Sequence, residues 1–172
     1  MLRRFLMTGI LLTALPTITY AKSFPYIGLN GGVQNTKGYN GLMTTLLGGY
    51  GLITGKYENY YFAGELFADS GTLPLGKKYY RRTNYGFGAS ITPGLILRET
   101  VLIYLRIGIE TFRYSTELNW FTGGQLGLGI QSSIAGNWDM RGEYVYTGEG
   151  IYHHFGNARF NFFKIGIIYK FT

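Results

Sequence analysis

The chain has 172 residues, a formal net charge of +7 and no cysteine. The lack of cysteine excludes a disulfide framework, a thiol nucleophile and a cysteine metal site. Charged residues make up only 15% of the chain, while aromatic residues reach 17% and glycine occurs 27 times. Ordinary soluble domains carry about 25% charged residues, so this composition disfavours a soluble domain.

The first 21 residues have the layout of a cleavable secretory signal peptide. Arg3 and Arg4 precede an apolar run from Phe5 to Leu15, and Ala21 ends a stretch of small residues. The alternative is a membrane-spanning helix, but the run is shorter than the ~20 apolar residues that a span needs. We therefore predict cleavage before Lys22, export, and one mature domain over residues 22–172, with no peptidoglycan-anchoring domain after it.

The mature region alternates apolar and small or polar residues with a period of two, which is typical of β-strands. No segment with a helical period competes with this pattern. The alternation predicts eight strands, over Pro25 to Gln34, Leu42 to Thr54, Asn59 to Asp69, Asn84 to Ile96, Thr100 to Phe112, Phe121 to Gln131, Asn137 to Thr147 and Ala158 to Phe171.

The predicted connections alternate in length. The second, fourth and sixth are short, and the first, third, fifth and seventh are longer. Outer-membrane barrels have short turns on the periplasmic rim and long loops outside the cell. We therefore expect the two longest connections, 70–83 and 148–157, to lie outside the cell.

Two kinds of eight-stranded barrel fit this pattern, because a soluble barrel could hold its apolar face inward around a ligand, as lipocalins do. A water-facing exterior would carry many charges, whereas the non-apolar face here is mostly small and uncharged. Aromatic residues also gather toward the strand ends, as an interfacial girdle requires: Tyr60, Tyr85, Trp120, Phe121, Trp138, Tyr146, Tyr169 and Phe171. The sequence therefore predicts an all-β, eight-stranded antiparallel transmembrane barrel with up-and-down meander order.

The final stretch, FNFFKIGIIYKFT, resembles the C-terminal insertion signal of outer-membrane barrels, which the barrel-assembly machinery reads. The residues that match the spacing of this signal are Lys164, Gly166, Tyr169 and Phe171. Family members usually end on the aromatic residue, whereas this chain continues to Thr172. Together with GEYVYTGEG at 142–150, it resembles the closing hairpin of the outer-membrane protein A and opacity-protein superfamily. That superfamily includes adhesins, serum-resistance proteins, lipid-A enzymes and narrow channels, so the resemblance implies the fold and not one function.

The charged residues of the polar face are mixed in sign. We expect a lumen ion network of Glu65, Arg106, Glu110, Arg141 and Glu143, because buried charges must pair. Two roles are open for this network. It could be a gate that opens when pairs exchange, or a plug that only supports the barrel, and the plug is favoured.

A basic, aromatic-rich cluster occupies the longest predicted loop: Lys77, Lys78, Arg81 and Arg82. It suits lipopolysaccharide phosphates or sulfated host glycans, or it is only a solvated loop end. The excess positive charge of an exported chain favours these partners and outer-membrane lipids over nucleic acid.

Two further patterns point to catalysis only weakly. His153 and His154 fall in the last long loop without a serine beside them, although a lipid-A deacylase needs a serine activated by histidine. Two histidines are also a weak metal site, and the glycine-rich run at 123–129 lacks the helix of a dinucleotide motif. We expect no enzyme activity, metal or cofactor.

The sequence favours a surface structural or interaction protein of the outer membrane, with a narrow porin-like channel as the alternative and a lipid-modifying enzyme third.

Overall fold

The computed structural model describes residues 22–36, 39–55, 58–75, 83–97, 100–114, 120–149 and 160–171. Within these ranges the antiparallel strands pair in sequence order and the last closes onto the first, which confirms the predicted meander barrel. The strands are β1 (Lys22–Thr36), β2 (Tyr39–Thr54), β3 (Tyr60–Leu75), β4 (Thr83–Leu97), β5 (Val101–Tyr114), β6 (Trp120–Ala135), β7 (Trp138–Glu149) and β8 (Phe160–Lys170). No helix in the described ranges is long and apolar enough to cross a membrane. The predicted signal peptide lies outside them.

Most strands are longer than predicted. β3 continues to Leu75, where a loop from Ser70 onward was expected, and only residues 37–38 separate β1 from β2. The expectation of a long first connection is therefore wrong. Main-chain pairing continues past the point where side-chain alternation fades, because ladder hydrogen bonds do not depend on side-chain type.

The opposite rim carries tight turns. Gly55 has a positive φ of 102° and its carbonyl accepts a hydrogen bond from the Glu58 N–H at 3.1 Å, while Gly136 has a φ of 53° in the turn between β6 and β7. Glycine adopts such angles without a steric penalty. Short turns mark the periplasmic rim of an outer-membrane barrel, so the rim at which β3, β5 and β7 end is the extracellular one.

The outward face is apolar over most of its height. Leu46, Leu66 and Ile109 are each more than 60% exposed, as lipid-facing side chains are. At the periplasmic rim the ring of Tyr169 packs 4.9 Å from that of Trp138 and 5.0 Å from that of Phe171. These rings sit where the predicted aromatic girdle requires them.

The inward face is filled by side chains. One apolar cluster lies toward the periplasmic rim, and we call it the lower cluster: Phe24, Tyr26, Leu47, Tyr61, Ala63, Phe67, Leu102, Tyr104 and Ile168. The upper cluster lies toward the extracellular rim: Met43, Phe112, Val145, Phe160 and Phe162. Buried charged residues accompany both, so the lumen is a packed core and its chemistry is the first candidate for a functional site.

Candidate functional site

Four charged side chains meet in the middle of the lumen. Arg106 Nη1 lies 2.7 Å from Glu143 Oε1, and Arg106 Nη2 lies 3.0 Å from Glu65 Oε2. Arg141 Nη1 contacts the other oxygen of Glu65 at 2.6 Å. All four residues are at most 3% exposed. We call Glu65, Arg106, Arg141 and Glu143 the central network.

Strand parity explains why these residues meet. Glu65 on β3, Arg106 on β5 and Glu143 on β7 all occupy inward positions of their strands, as the alternating burial of their neighbours shows. β3 and β7 lie on either side of β5 in the strand order, and the arginine side chain is long enough to reach both carboxylates. In a narrow eight-stranded barrel, inward side chains from distant strands fill a shared space.

Two tyrosines add hydrogen bonds to the carboxylates of the central network. The Tyr26 hydroxyl donates to Glu65 Oε1 at 2.7 Å, and the Tyr104 hydroxyl donates to Glu143 Oε1 at 3.0 Å. The Arg141 guanidinium lies 5.7 Å from the Tyr26 ring centre and 5.0 Å from that of Tyr104. These contacts stabilise a buried cation without exposing it to water.

The network extends toward the periplasmic rim through an amide. Arg141 Nε and Nη2 donate to Gln131 Oε1 at 3.0 and 2.8 Å, and Gln131 Nε2 donates to Asp139 Oδ2 at 2.6 Å. Lys170 Nζ lies 2.9 Å from the second oxygen of Asp139. A continuous polar chain therefore runs from the middle of the lumen to its lower end.

Glu110 is not part of the central network. Its Oε2 accepts hydrogen bonds from Gln125 Nε2 at 2.7 Å and from the Thr147 hydroxyl at 3.4 Å, and within the described ranges it makes no ion pair. The network expected from the sequence included Glu110, so the structure brings together four of those five residues and leaves the fifth apart.

A second ion pair lies in the upper half of the lumen. Lys164 Nζ is 3.2 Å from Asp69 Oδ2, and the Thr45 hydroxyl donates to Asp69 Oδ1. The Phe67 ring lies between this pair and the central network, 5.8 Å from Lys164 Nζ and 4.7 Å from the Arg106 guanidinium carbon. The polar groups of the lumen are thus separated into levels by aromatic side chains.

The side chains that fill the lumen pair with one another and pack the inside of the barrel. The described residues contain no group of three or more His, Asp or Glu side chains placed to hold a metal ion. Apart from Glu110, the buried charged side chains of the described residues pair with one another, and the lower and upper clusters pack around them. The arrangement is that of paired charges buried in a packed core.

Comparison with known proteins decides the family. The family model described as outer membrane protein beta-barrel domain matches residues 7–171. The chain belongs to this family. A search of curated proteins finds no match.

Solved structures agree with this outer-membrane family. The Neisserial surface protein A structure is similar at a TM-score of 0.57, with 16% identity over 88% of this chain and 99% of that chain. The structure of Ail, the attachment invasion locus protein of Yersinia pestis, in complex with the heparin analogue sucrose octasulfate, is similar at a TM-score of 0.56, with 15% identity over 89% of this chain and 100% of that chain. At these identities the likeness shows the fold. The family and the fold point to the bacterial outer membrane.

The remaining predicted sites of this outer-membrane barrel fall in different places. The basic cluster Lys77, Lys78, Arg81 and Arg82 and the two loop histidines lie outside the described residues. The C-terminal insertion signal lies on β8 and just after it, where Lys164 points inward to Asp69, Gly166 packs against Asn30, and Tyr169 and Phe171 face outward.

Sequence reasoning missed several partners. Asp69 and Lys170 lie near the ends of predicted strands and were not among the expected lumen residues. Tyr26, Phe67 and Tyr104 occupy inward positions of their strands and were not considered as lumen contacts. Their inward parity was the signal that could have found them.

Proposed function

We propose that this barrel is a surface interaction protein of the outer membrane that contacts lipopolysaccharide or sulfated host glycans through its extracellular loops and does not conduct solutes. The observation that carries the proposal is the filled lumen. Paired charges and two apolar clusters occupy the inside of the barrel, so the surfaces left for a partner are the extracellular rim and its loops.

The basic loop cluster supplies the chemistry for such a partner. Four cations lie within the span 77–82, beside Tyr79 and Tyr80. Phosphate and sulfate groups are attracted to clustered cations, and arginine can bind them through two parallel hydrogen bonds. The Ail structure holds a sulfated heparin analogue, which supports testing a sulfated glycan here.

Charge reversal tests this proposal. We expect Lys77→Glu with Lys78→Glu, and separately Arg81→Glu with Arg82→Glu, to weaken retention on immobilised heparin and on lipopolysaccharide. The matched control reverses Lys22 and Lys56, which lie outside the 77–82 segment in the sequence, and it changes the net charge by the same amount. If the loop variants and the control elute at the same salt concentration, the loop cluster is not the binding surface.

The alternative functions have separate readouts. A narrow channel would give stepwise currents in a planar bilayer. A lipid-modifying enzyme would change the mass spectrum of lipid A when cells that express the protein are compared with cells that lack it. The proposed surface role predicts neither change.

Export and insertion belong to the same proposal. Residues 1–21 would direct export, and the C-terminal signal would be read by the barrel-assembly machinery. Replacing Phe171 with Ser should lower the amount of folded barrel in the outer membrane, whereas replacing the exposed Ser133 with Ala, beside the β6–β7 turn, should not.

A further inference from the structure

Three asparagines form a row around the outside of the barrel. Asn35 on β1 is the direct partner of Asn40 on β2 and of Asn161 on β8. Directly paired residues share one face of a sheet, and the neighbouring inward position, Gln34, is buried. All three asparagines therefore face outward, side by side on neighbouring strands. We call them the asparagine row.

The row is held in place by local hydrogen bonds. Asn35 Nδ2 donates to Asn40 Oδ1 at 2.6 Å, and the Tyr144 hydroxyl donates to Asn161 Oδ1 at 2.7 Å. A carboxamide carries two N–H donors and one acceptor oxygen with two lone pairs. The contacts between described residues use part of this capacity, so fixed donors and acceptors remain on the outer surface.

The row lies at the upper boundary of the lipid-facing band. The outward positions of β1 between Ser23 and Asn35 are Pro25, Ile27, Leu29, Gly31 and Val33. At ~3.3 Å per residue and the usual tilt of about 40°, this stretch spans roughly 30 Å along the barrel axis, close to the height of the apolar band. Ser23, which accepts a hydrogen bond from the Tyr50 hydroxyl, marks the periplasmic boundary, so the asparagine row marks the extracellular one.

We propose that the asparagine row binds the saccharide headgroup of lipopolysaccharide in the outer leaflet. This inference deepens the proposed function and rests on it, because it assigns a part of the barrel wall to the same partner. The chemistry that favours this ligand is the neutrality of the row. Sugar hydroxyl and amide groups both donate and accept hydrogen bonds, and carboxamides match both roles.

Other headgroups fit less well. A phosphate carries only acceptor oxygens when ionised and is bound best by arginine or lysine. The row contains no cation, and its Asn40 and Asn161 oxygens already accept hydrogen bonds from neighbouring side chains on the outer surface, Asn35 and Tyr144. The row would therefore recognise the sugar part of the lipid, while the basic loop cluster would bind the phosphates.

The test compares lipids and barrel variants. Wild-type barrel in neutral detergent micelles is titrated with fluorescent lipopolysaccharide and, separately, with phosphatidylglycerol, at low and at high salt. We expect Asn35→Ala with Asn40→Ala and Asn161→Ala to weaken lipopolysaccharide binding about tenfold, the effect of losing one or two net hydrogen bonds. The loss should persist at high salt, which screens the loop charges.

A hydroxyl pair on the opposite wall supplies the matched control. Thr111 on β5 and Thr122 on β6 are direct partners near the same rim, with their hydroxyl oxygens 3.0 Å apart. Thr111→Val with Thr122→Val removes exposed polar groups of comparable height, and we expect it to leave lipopolysaccharide binding unchanged.

Three outcomes overturn the inference: unchanged binding in the triple variant, an equal loss in the threonine control, or an equal loss for phosphatidylglycerol. If the triple variant does not fold, Asn161→Ala alone is titrated, and unchanged binding there counts against the row. The two proposals can fail separately. If the loop charge reversals leave binding unchanged but the asparagine triple variant still weakens it at high salt, the loop proposal is contradicted and the proposal for the asparagine row is supported.

Discussion

Arg106 links the two carboxylates of the central network. Its guanidinium contacts Glu143 on one side and Glu65 on the other, and all three side chains are buried. Removing this cation would leave Glu143 without its described ion pair and Glu65 with Arg141 as its remaining arginine partner, in a space that water cannot readily fill. Uncompensated buried charge is among the most destabilising consequences of a single substitution.

We expect Arg106→Ala to lower the free energy of unfolding by about 3–5 kcal/mol. Urea titration of the barrel folded into lipid vesicles would measure it through tryptophan fluorescence. The control is Arg113→Ala on the same strand, where the arginine faces outward and is half-buried. Equal urea midpoints for the two variants would contradict the structural role of the central network.

Glu110 and Glu65 offer a second comparison at this scale. Glu65 pairs with two arginines, whereas the hydrogen bonds of Glu110 within the described residues go to the uncharged Gln125 and Thr147. Glu65→Gln should therefore destabilise the barrel by several kcal/mol, of the order of a broken buried pair.

Glu110→Gln should be neutral or stabilising, because a neutral amide of the same size replaces a buried carboxylate and still accepts from Gln125. Urea midpoints at neutral pH measure both variants. A larger loss for Glu110→Gln than for Glu65→Gln would mean that Glu110 is paired in the folded barrel.

These residues also separate what the sequence predicts from what it does not. Alternation alone assigned Glu65, Arg106, Arg141 and Glu143 to the inside. Spacing alone argues against a contact between Arg106 and Glu110, because four residues along one strand span about 13 Å. The pairing of Glu65 with Arg141 depends on the shared level of β3 and β7 across the lumen, which a single sequence does not contain.

At the scale of strands, aromatic rings on one strand pack against glycines on the neighbouring strand. The Tyr104 ring on β5 packs against Gly129 on β6, its direct partner, and the Tyr26 ring on β1 packs against Gly49 on β2 in the same way. A Cβ at either glycine would overlap the tyrosine ring. These contacts fix the direction of the hydroxyls that reach the central network.

We expect Gly129→Ala to destabilise the barrel by about 1–3 kcal/mol through overpacking. Gly124→Ala on the same strand is the control, because a Cβ there faces outward into open space. Thermal unfolding followed by circular dichroism compares the two. If Gly129→Ala and the control unfold at the same temperature, the Tyr104 ring has room to move, and Gly129 does not hold its hydroxyl in place in the central network.

The lengths of the strands were the least predictable part of the fold. The end of β3 carries glycine, threonine and proline, and such residues lack the alternation from which a strand is recognised. Backbone pairing with β2 nevertheless extends to Leu75. The order of the strands and the direction in which their side chains point were predictable, because long alternating runs reveal both. The ends of the strands depend on backbone pairing with neighbouring strands, which the alternation does not show.

At the scale of the whole molecule, we expect the successive layers of side chains in the lumen to block the passage of solutes. The upper cluster, the Lys164 and Asp69 pair, the Phe67 ring, the central network and the remaining residues of the lower cluster follow one another from the extracellular to the periplasmic rim. A solute path would have to pass all of them. An exchange of ion pairs in the central network would rearrange one level and leave the apolar ones in place.

The wild-type barrel should therefore give no stepwise current in a planar bilayer, and Arg106→Ala should be equally silent, because the two apolar clusters stay closed in both. A gate held shut by the central network predicts the opposite for the variant, since the loss of Arg106 would release Glu143 and remove the link between Glu143 and Glu65. Single-channel recording of both proteins, with a known porin as the positive control, distinguishes the two. Discrete openings in Arg106→Ala that are missing from the wild type would establish the gate and contradict the plug.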